Sequence, residues 1–277
     1  MGCCASAKTI PIDKITISLF GLDNAGKTCI SHAIVGDFDF DCIPTVGFGK
    51  SELMYDNINL TIFDLGGSSK FRSVWQRYYA FIYGFIYVVD SSDKDRFAEN
   101  KETLESIISD PMMAGKPYVV LSNKTDISDH ASIDVIRKEL NIPKNIKIYE
   151  TIATEVKNNK CHDGITISTS DLMDTIIKKI EVLQKKLNAD IEEQEEINRK
   201  EREEKLERIR RNREANSKQS SDSTSDNVTS TQQSTDNATS TNDTNMNKST
   251  TIESNMLDDS NVNLLINNNT NDSFEKN

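Results

Sequence analysis

Nowhere in this chain do eighteen apolar residues stand in a row, and no apolar signal-peptide core follows Met1. The expectation is therefore a chain that neither spans a membrane as a helix nor is secreted. The five cysteines are scattered, without zinc or disulfide-framework spacing, which suits a reducing cytosol. A basic excess is also missing: the net charge of −11 argues against generic nucleic-acid binding, so no nucleic-acid partner is expected. From Lys218 to Asn277 there is no proline and little that is apolar, only a run dominated by Asn, Ser, Thr and Asp. So polar a segment buries too little apolar surface to offset its conformational entropy, and 218–277 reads as a disordered tail.

Apolar runs are frequent before that point. Lys14–Phe20 is rich in β-branched residues and reads as a strand leading into Gly21 and a helix-like segment from Lys27 to Val35. Leu53–Tyr55, a turn at Asp56-Asn57 and Ile58–Phe63 read as a β-hairpin. Further strand-like runs at Phe85–Val89, Tyr118–Leu121 and Ile146–Tyr149 alternate with helical stretches near Phe97–Ile108 and Ile133–Leu140. Alternating strands and helices predict an α/β fold, a mainly parallel sheet with the hairpin adding one antiparallel strand. Residues 14–187 form the expected globular domain, behind an N-terminal segment 1–13.

Leu172, Ile176, Ile180, Leu183 and Leu187 recur at three- and four-residue spacing, the apolar stripe of a closing helix. A charged extension, 188–217, follows. It carries Glu195–Arg199, Glu196–Lys200, Glu201–Lys205, Glu204–Arg208 and Glu207–Arg211, all acid-before-base pairs four apart. At about 0.2–0.5 kcal/mol each, such pairs support a solvated helix. Its broken apolar seam leaves two readings open, a spacer and a helix that docks a partner, and favours either over a strong coiled coil.

The chemistry starts at Gly21-Leu22-Asp23-Asn24-Ala25-Gly26-Lys27-Thr28, which is G-x-x-x-x-G-K-[ST] between a strand and a helix. Such a loop turns backbone N–H groups toward phosphates at a helix N-terminus, with Lys27 reaching the β- and γ-phosphates and Thr28 ligating Mg²⁺. Cys29, next along the helix, belongs to the same expected nucleotide site. Asn123-Lys124-Thr125-Asp126, after the Tyr118–Leu121 strand, specifies the base. Asp126 can accept from N1–H and the exocyclic amine of guanine, whereas adenine would leave the carboxylate unpaired. Asn123 and Lys124 brace the base loop, and Ala153 is placed to offer its N–H to the guanine oxygen. Thr45 gives Mg²⁺ a second hydroxyl when the nucleotide is a triphosphate. In Asp64-Leu65-Gly66-Gly67, Asp64 holds a Mg²⁺-bound water and the Gly67 N–H reads the γ-phosphate. Ser68 follows, where a water-orienting glutamine usually stands.

GLDNAGKT, PTVGF, DLGG with Trp75 and Tyr78, and NKTD together resemble the ADP-ribosylation-factor-like small GTPases over Lys14 to about Leu187. The form FDLGG without the glutamine, the cysteine pair near the N-terminus and the charged helix after the domain look most like the ciliary type-13 members. The resemblance implies a P-loop small-GTPase fold with a six-stranded sheet, GTP/GDP and Mg²⁺ as ligands, and weak GTP hydrolysis with Ser68 as the altered catalytic position. It also implies exchange-factor action on another Arf-like GTPase, effector or GTPase-activating protein partners, and an aromatic effector triad on Phe48, Phe63 and Tyr78. The alternative for those three rings is ordinary core. A constitutively GTP-bound scaffold, tethering partners through its C-terminal helix, is the alternative for the whole. The tail lacks the family's Pro-rich region, and an insertion around Lys157–Gly164 is expected to loosen the loop near Ala153.

The first residues, Met1-Gly2-Cys3-Cys4-Ala5-Ser6, fit the myristoylation pattern M-G-x-x-x-[ST]. Cys3 and Cys4 supply palmitoylation sites, and two acyl chains hold a membrane where one does so only weakly. The expectation is a lipid-anchored protein on the cytoplasmic face of a membrane.

Overall fold

The computed structural model describes residues 13–39, 43–157 and 160–222. The expected lipidation sites Gly2, Cys3 and Cys4, and the tail beyond residue 222, lie outside the described residues.

Six strands form one sheet: β1 (Lys14–Phe20), β2 (Phe48–Tyr55), β3 (Ile58–Leu65), β4 (Gly84–Asp90), β5 (Tyr118–Asn123) and β6 (Ile148–Thr151), in the order β2-β3-β1-β4-β5-β6. Only β2 runs antiparallel to its neighbour. The hairpin turn falls on Asp56 and Asn57, both at positive φ, the conformation that a two-residue hairpin turn requires. Strand β4 is buried at every position, as expected for a parallel strand covered on both faces.

Alternation along β1 divides the core. Ile15, Ile17 and Leu19 face one layer with Ile30 of α1 (Lys27–Val35), Leu172 and Ile176 of α6 (Asp163–Lys178), and Leu183 and Leu187 of α7 (Ile180–Asp222). Phe20 belongs to the other layer, against Trp75, Tyr79 and Phe85 at ring separations of 5.1–5.6 Å. Fully burying each such aliphatic or aromatic side chain is worth about 1.5–3 kcal/mol before entropy costs. The sheet thus holds the carboxyl ends of β1, β3, β4 and β5 at one edge, where the sequence motifs begin.

Some elements had no periodic signal. Two four-residue helices, α2 (Ser69–Arg72) and α3 (Gln76–Tyr79), follow β3 and are too short for one. Helices α4 (Phe97–Ser109) and α5 (Ile133–Glu139) lie where the sequence reading puts them. The stripe from Leu172 to Leu187 is not one helix: it breaks at Lys179 between α6 and α7. The insertion around 157–164 contains a minimal antiparallel pair, β7 (Val156–Lys157) with β8 (Lys160–Cys161).

The chain divides into two compact units after Gln194. Burial continues to that point because α7 carries polar groups with partners of their own. Lys116, 5% exposed, donates to the Tyr79 carbonyl at 2.6 Å and pairs with Asp190 of α7 at 3.2 Å, and Lys186 donates to the Pro111 carbonyl at 3.0 Å. A buried ammonium this close to a carboxylate fixes the register of α7 more than it adds net stability. In the second unit the helix continues to Asp222, so the first residues of the polar segment expected from 218 are helical. Of the expected charge pairs, Glu196–Lys200 (3.3 Å) and Glu207–Arg211 (2.5 Å) form.

Candidate nucleotide site

Gly26 is the hinge of the phosphate loop. Its φ of 93° is a left-handed conformation, and a Cβ there would stand 2.3 Å from the Asn123 amide nitrogen. Only glycine lets the loop turn into α1 while Asn123 passes so close. That closeness ties two motifs together: Asn123 Nδ2 donates to the Ala25 carbonyl at 2.8 Å, and Asn123 Oδ1 accepts from the Ala153 N–H at 2.9 Å. One amide side chain therefore clamps the phosphate loop, the base-reading strand end and the last loop.

The Ala153 N–H, expected to serve the guanine oxygen, is engaged by Asn123 in this structure. Lys124 adopts a positive φ and pairs with Asp90 at the end of β4, 2.6 Å away, which holds the NKTD turn in place. Asp126 is exposed beyond that turn.

At the opposite end of the site, the Thr28 and Thr45 hydroxyls donate to Asp64 Oδ2 at 2.7 and 2.8 Å. Asp64 is buried, and its Oδ1 has no hydrogen-bond partner among the described residues. Two hydroxyls and a buried carboxylate with an unused lone-pair oxygen make a hard, all-oxygen donor set, which fits Mg²⁺. Lys27 lies beside them, 6% exposed, donating to the Leu22 carbonyl at 2.7 Å. Burial, partly offset by Asp64 and Asp23, pulls its ammonium down to about 8. A bound polyphosphate would raise it again. Since the free-state value is then the lower one, nucleotide affinity is constant below pH 8 and falls as pH rises above it. Affinity for fluorescent GTP at pH 9 is expected to be about tenfold weaker than at pH 7, and a flat profile would contradict this role for Lys27.

Gly67 closes over this group. A Cβ on it would lie 2.4 Å from Lys27 Nζ and 2.5 Å from the Asp23 nitrogen, so the loop after β3 rests directly on the phosphate loop. The adjoining backbone is pinned: Trp75 Nε1 donates to the Gly66 carbonyl at 3.0 Å, and the Gly66 N–H donates to the Gly47 carbonyl at 2.9 Å. Thr45 and Gly67 therefore belong to two segments that are bonded to each other as well as facing the phosphate loop.

A charge network holds the same closure, and sequence reasoning missed most of it. Arg72 Nε donates to the Gly67 carbonyl at 2.8 Å, and its guanidinium also reaches Glu99 at 2.5 Å and Asp23 at 3.8 Å. Arg96 bonds both Asp23 (2.8 Å) and Glu99 (2.8 Å). The Arg96 hydrogen bond holds the Asp23 carboxyl below the usual carboxylate range, opposed by burial. Arg72 is thus tied into the loop and helix α4. Arg96 and Glu99 carry no local motif, and Arg96 lies 73 positions from Asp23 in sequence.

Asp23, Asn24, Gly26, Lys27, Thr28, Cys29, Thr45, Gly67, Ser68, Asn123, Lys124, Asp126 and Ala153 line one cavity of about 470 Å³, a volume suited to a small ligand. Gly21 and Ala25 of the phosphate loop, and the buried Asp64, do not line that cavity. Phe48, Phe63 and Tyr78 form a separate cluster with ring centroids 5.0–5.8 Å apart. Phe63 and Tyr78 are buried and Phe48 is half-buried.

Comparison with known proteins gives the same assignment. The model of the ADP-ribosylation factor family matches residues 6–180. ADP-ribosylation factor-like protein 13B of Chlamydomonas reinhardtii is 40% identical over 129 residues, 47% of this chain but only 24% of that protein's length. ADP-ribosylation factor-like protein 8c of Arabidopsis thaliana is 32% identical over 166 residues, 60% of this chain and 87% of the relative. Among solved structures, the Arl6 BBS3 small GTPase of Trypanosoma brucei with the bound nucleotide analogue GppNp superposes with a TM-score of 0.50 at 25% identity, covering 58% of this chain and 98% of that one. Motifs, sheet order and family model agree that this chain belongs to the ADP-ribosylation factor family of small GTPases, GTP-binding switch proteins.

Proposed function

We propose that this chain is a membrane-anchored GTP switch with slow intrinsic hydrolysis that, when GTP-loaded, acts as a nucleotide-exchange factor for another Arf-like GTPase in cilium-related membrane traffic. The convergence of Thr28 and Thr45 on Asp64 beneath Gly67 carries the GTP-switch part of this reading. These groups come from three separate segments and converge as the binding of a triphosphate and its Mg²⁺ would require. When bound, Mg²⁺ would supply charge neutralisation at the β- and γ-phosphates. Thr28 and Thr45 would hold it directly, Asp64 would hold one of its waters, and Lys27 and the Gly67 N–H would bind the γ-phosphate oxygens. Asp126 would select guanine. Losing the γ-phosphate releases Thr45 and Gly67 together, because their segments are joined at Gly47–Gly66.

Slow hydrolysis follows from Ser68. It caps α2 with an extended backbone, and its side chain makes no capping bond, so its hydroxyl sits in the cavity wall without the reach of a glutamine. Arg72 is bound to the Gly67 carbonyl and Glu99, and is not free to act as an arginine finger. The exchange-factor and ciliary parts rest on likeness to the type-13 Arf-like proteins, and anchoring rests on the acylation pattern at Gly2, Cys3 and Cys4. Release of labelled nucleotide from a panel of Arf-like GTPases tests the output. Acceleration by the GTP-loaded chain, and not the GDP-loaded one, is expected. No acceleration across the panel would remove the exchange-factor reading and favour a scaffold that tethers partners through its helix.

A further inference from the structure

The charged helix of the second unit is not evenly mixed around its circumference. At about 100° per residue, Arg199, Arg202, Leu206, Ile209, Arg210 and Arg213 fall within roughly 60° of Leu206, a stripe about 21 Å long. Glu201, Glu204 and Glu207 point away from it, and Glu203 stands at its margin. Leu206 is 67% exposed and Ile209 is 41% exposed, and the four arginines are exposed around them. Arg199 and Arg210 have acid partners, Glu196 at 2.5 Å and Glu214 at 3.4 Å. Arg202 and Arg213 have no acid three or four positions away on either side, so intrahelical pairing cannot balance them. Arg202 donates instead to the Asn198 carbonyl of its own helix, at 3.1 Å.

A helix built only to stay solvated has no use for two unbalanced arginines flanking two exposed aliphatic side chains on the same face. We propose that this stripe is a docking face for an anionic phospholipid surface. Arginine forks match phosphate and carboxylate headgroups, and their aliphatic stems lie beside Leu206 and Ile209, which enter the headgroup boundary. The chain's overall negative charge does not oppose this, because at physiological salt charges are screened beyond about 8 Å. The proposal does not rest on acylation or on the exchange-factor reading.

The test uses the full chain carrying Gly2→Ala, Cys3→Ser and Cys4→Ser, so that no acyl chain contributes. It is expected to sediment with phosphatidylserine-containing vesicles and not with pure phosphatidylcholine, and to be released by about 0.5 M salt, where screening is much stronger than at physiological ionic strength. Arg202→Gln with Arg213→Gln should weaken binding roughly tenfold. Lys200→Gln with Arg208→Gln, which removes the same charge from the far face, should change it less than about threefold. Glutamine has a helix propensity close to that of lysine and arginine, so both pairs keep the helix. No preference for the anionic vesicles, salt-resistant binding, equal loss from both pairs, or stronger capture by polyglutamate than by vesicles would each overturn the proposal.

Discussion

Asp126→Asn is expected to lower GTP affinity by at least about 10³-fold while leaving xanthosine triphosphate bound. In the proposed site the carboxylate would accept from two N–H groups of guanine, whereas an asparagine would present a donor to one of them. The lost pair is then worse than absent, because two donors face each other in a confined site. Xanthine carries a carbonyl in place of the amine, and the asparagine NH₂ can donate to it. The scaffold around position 126 is not disturbed: the NKTD turn is held by Lys124–Asp90 and by Asn123, and Asp126 is exposed beyond them. The change should therefore alter base preference without unfolding the domain. Competition of both triphosphates against a fluorescent guanine nucleotide measures it, and unchanged GTP affinity would show that Asp126 does not contact the base.

Position 68 gives the second large effect. Ser68→Gln is expected to speed hydrolysis of bound GTP roughly tenfold to hundredfold, within the range contributed by a group that positions a proton or water. Ser68 occupies the N-cap of α2 with its side chain free of capping duty, so a longer side chain loses no bond there. Half-buried Ser68 also lies on the cavity wall, next to Gly67, whose nitrogen would face the γ-phosphate. The other groups that the proposed mechanism uses, Lys27 and Thr28, Thr45 and Asp64, stand in the same site.

Much of this site can be read from sequence because its chemistry is contiguous and sits at strand ends. GLDNAGKT, DLGG and NKTD each carry several functional atoms within eight residues or fewer, and a parallel sheet brings such ends to one edge without further information. The hairpin at Asp56-Asn57 is equally local. What could not be read is long-range. Arg96 and Glu99 look like ordinary charged helix residues until the fold sets them against Asp23 and Arg72. The four-residue helices α2 and α3 are shorter than any periodic window. The engagement of the Ala153 N–H by Asn123 and the break at Lys179 depend on packing that no stretch of sequence displays.

In the proposed switch the groups expected to read the γ-phosphate stand together, and the altered hydrolysis is assigned to Ser68, where water would be aligned. Single-turnover hydrolysis of pre-bound GTP, run side by side on the natural chain and Ser68→Gln, tests that division most directly. A natural-chain rate close to that of free GTP, together with at least a tenfold faster variant, is the expected result. Rapid hydrolysis by the natural chain, or equal rates in the two proteins, would contradict it.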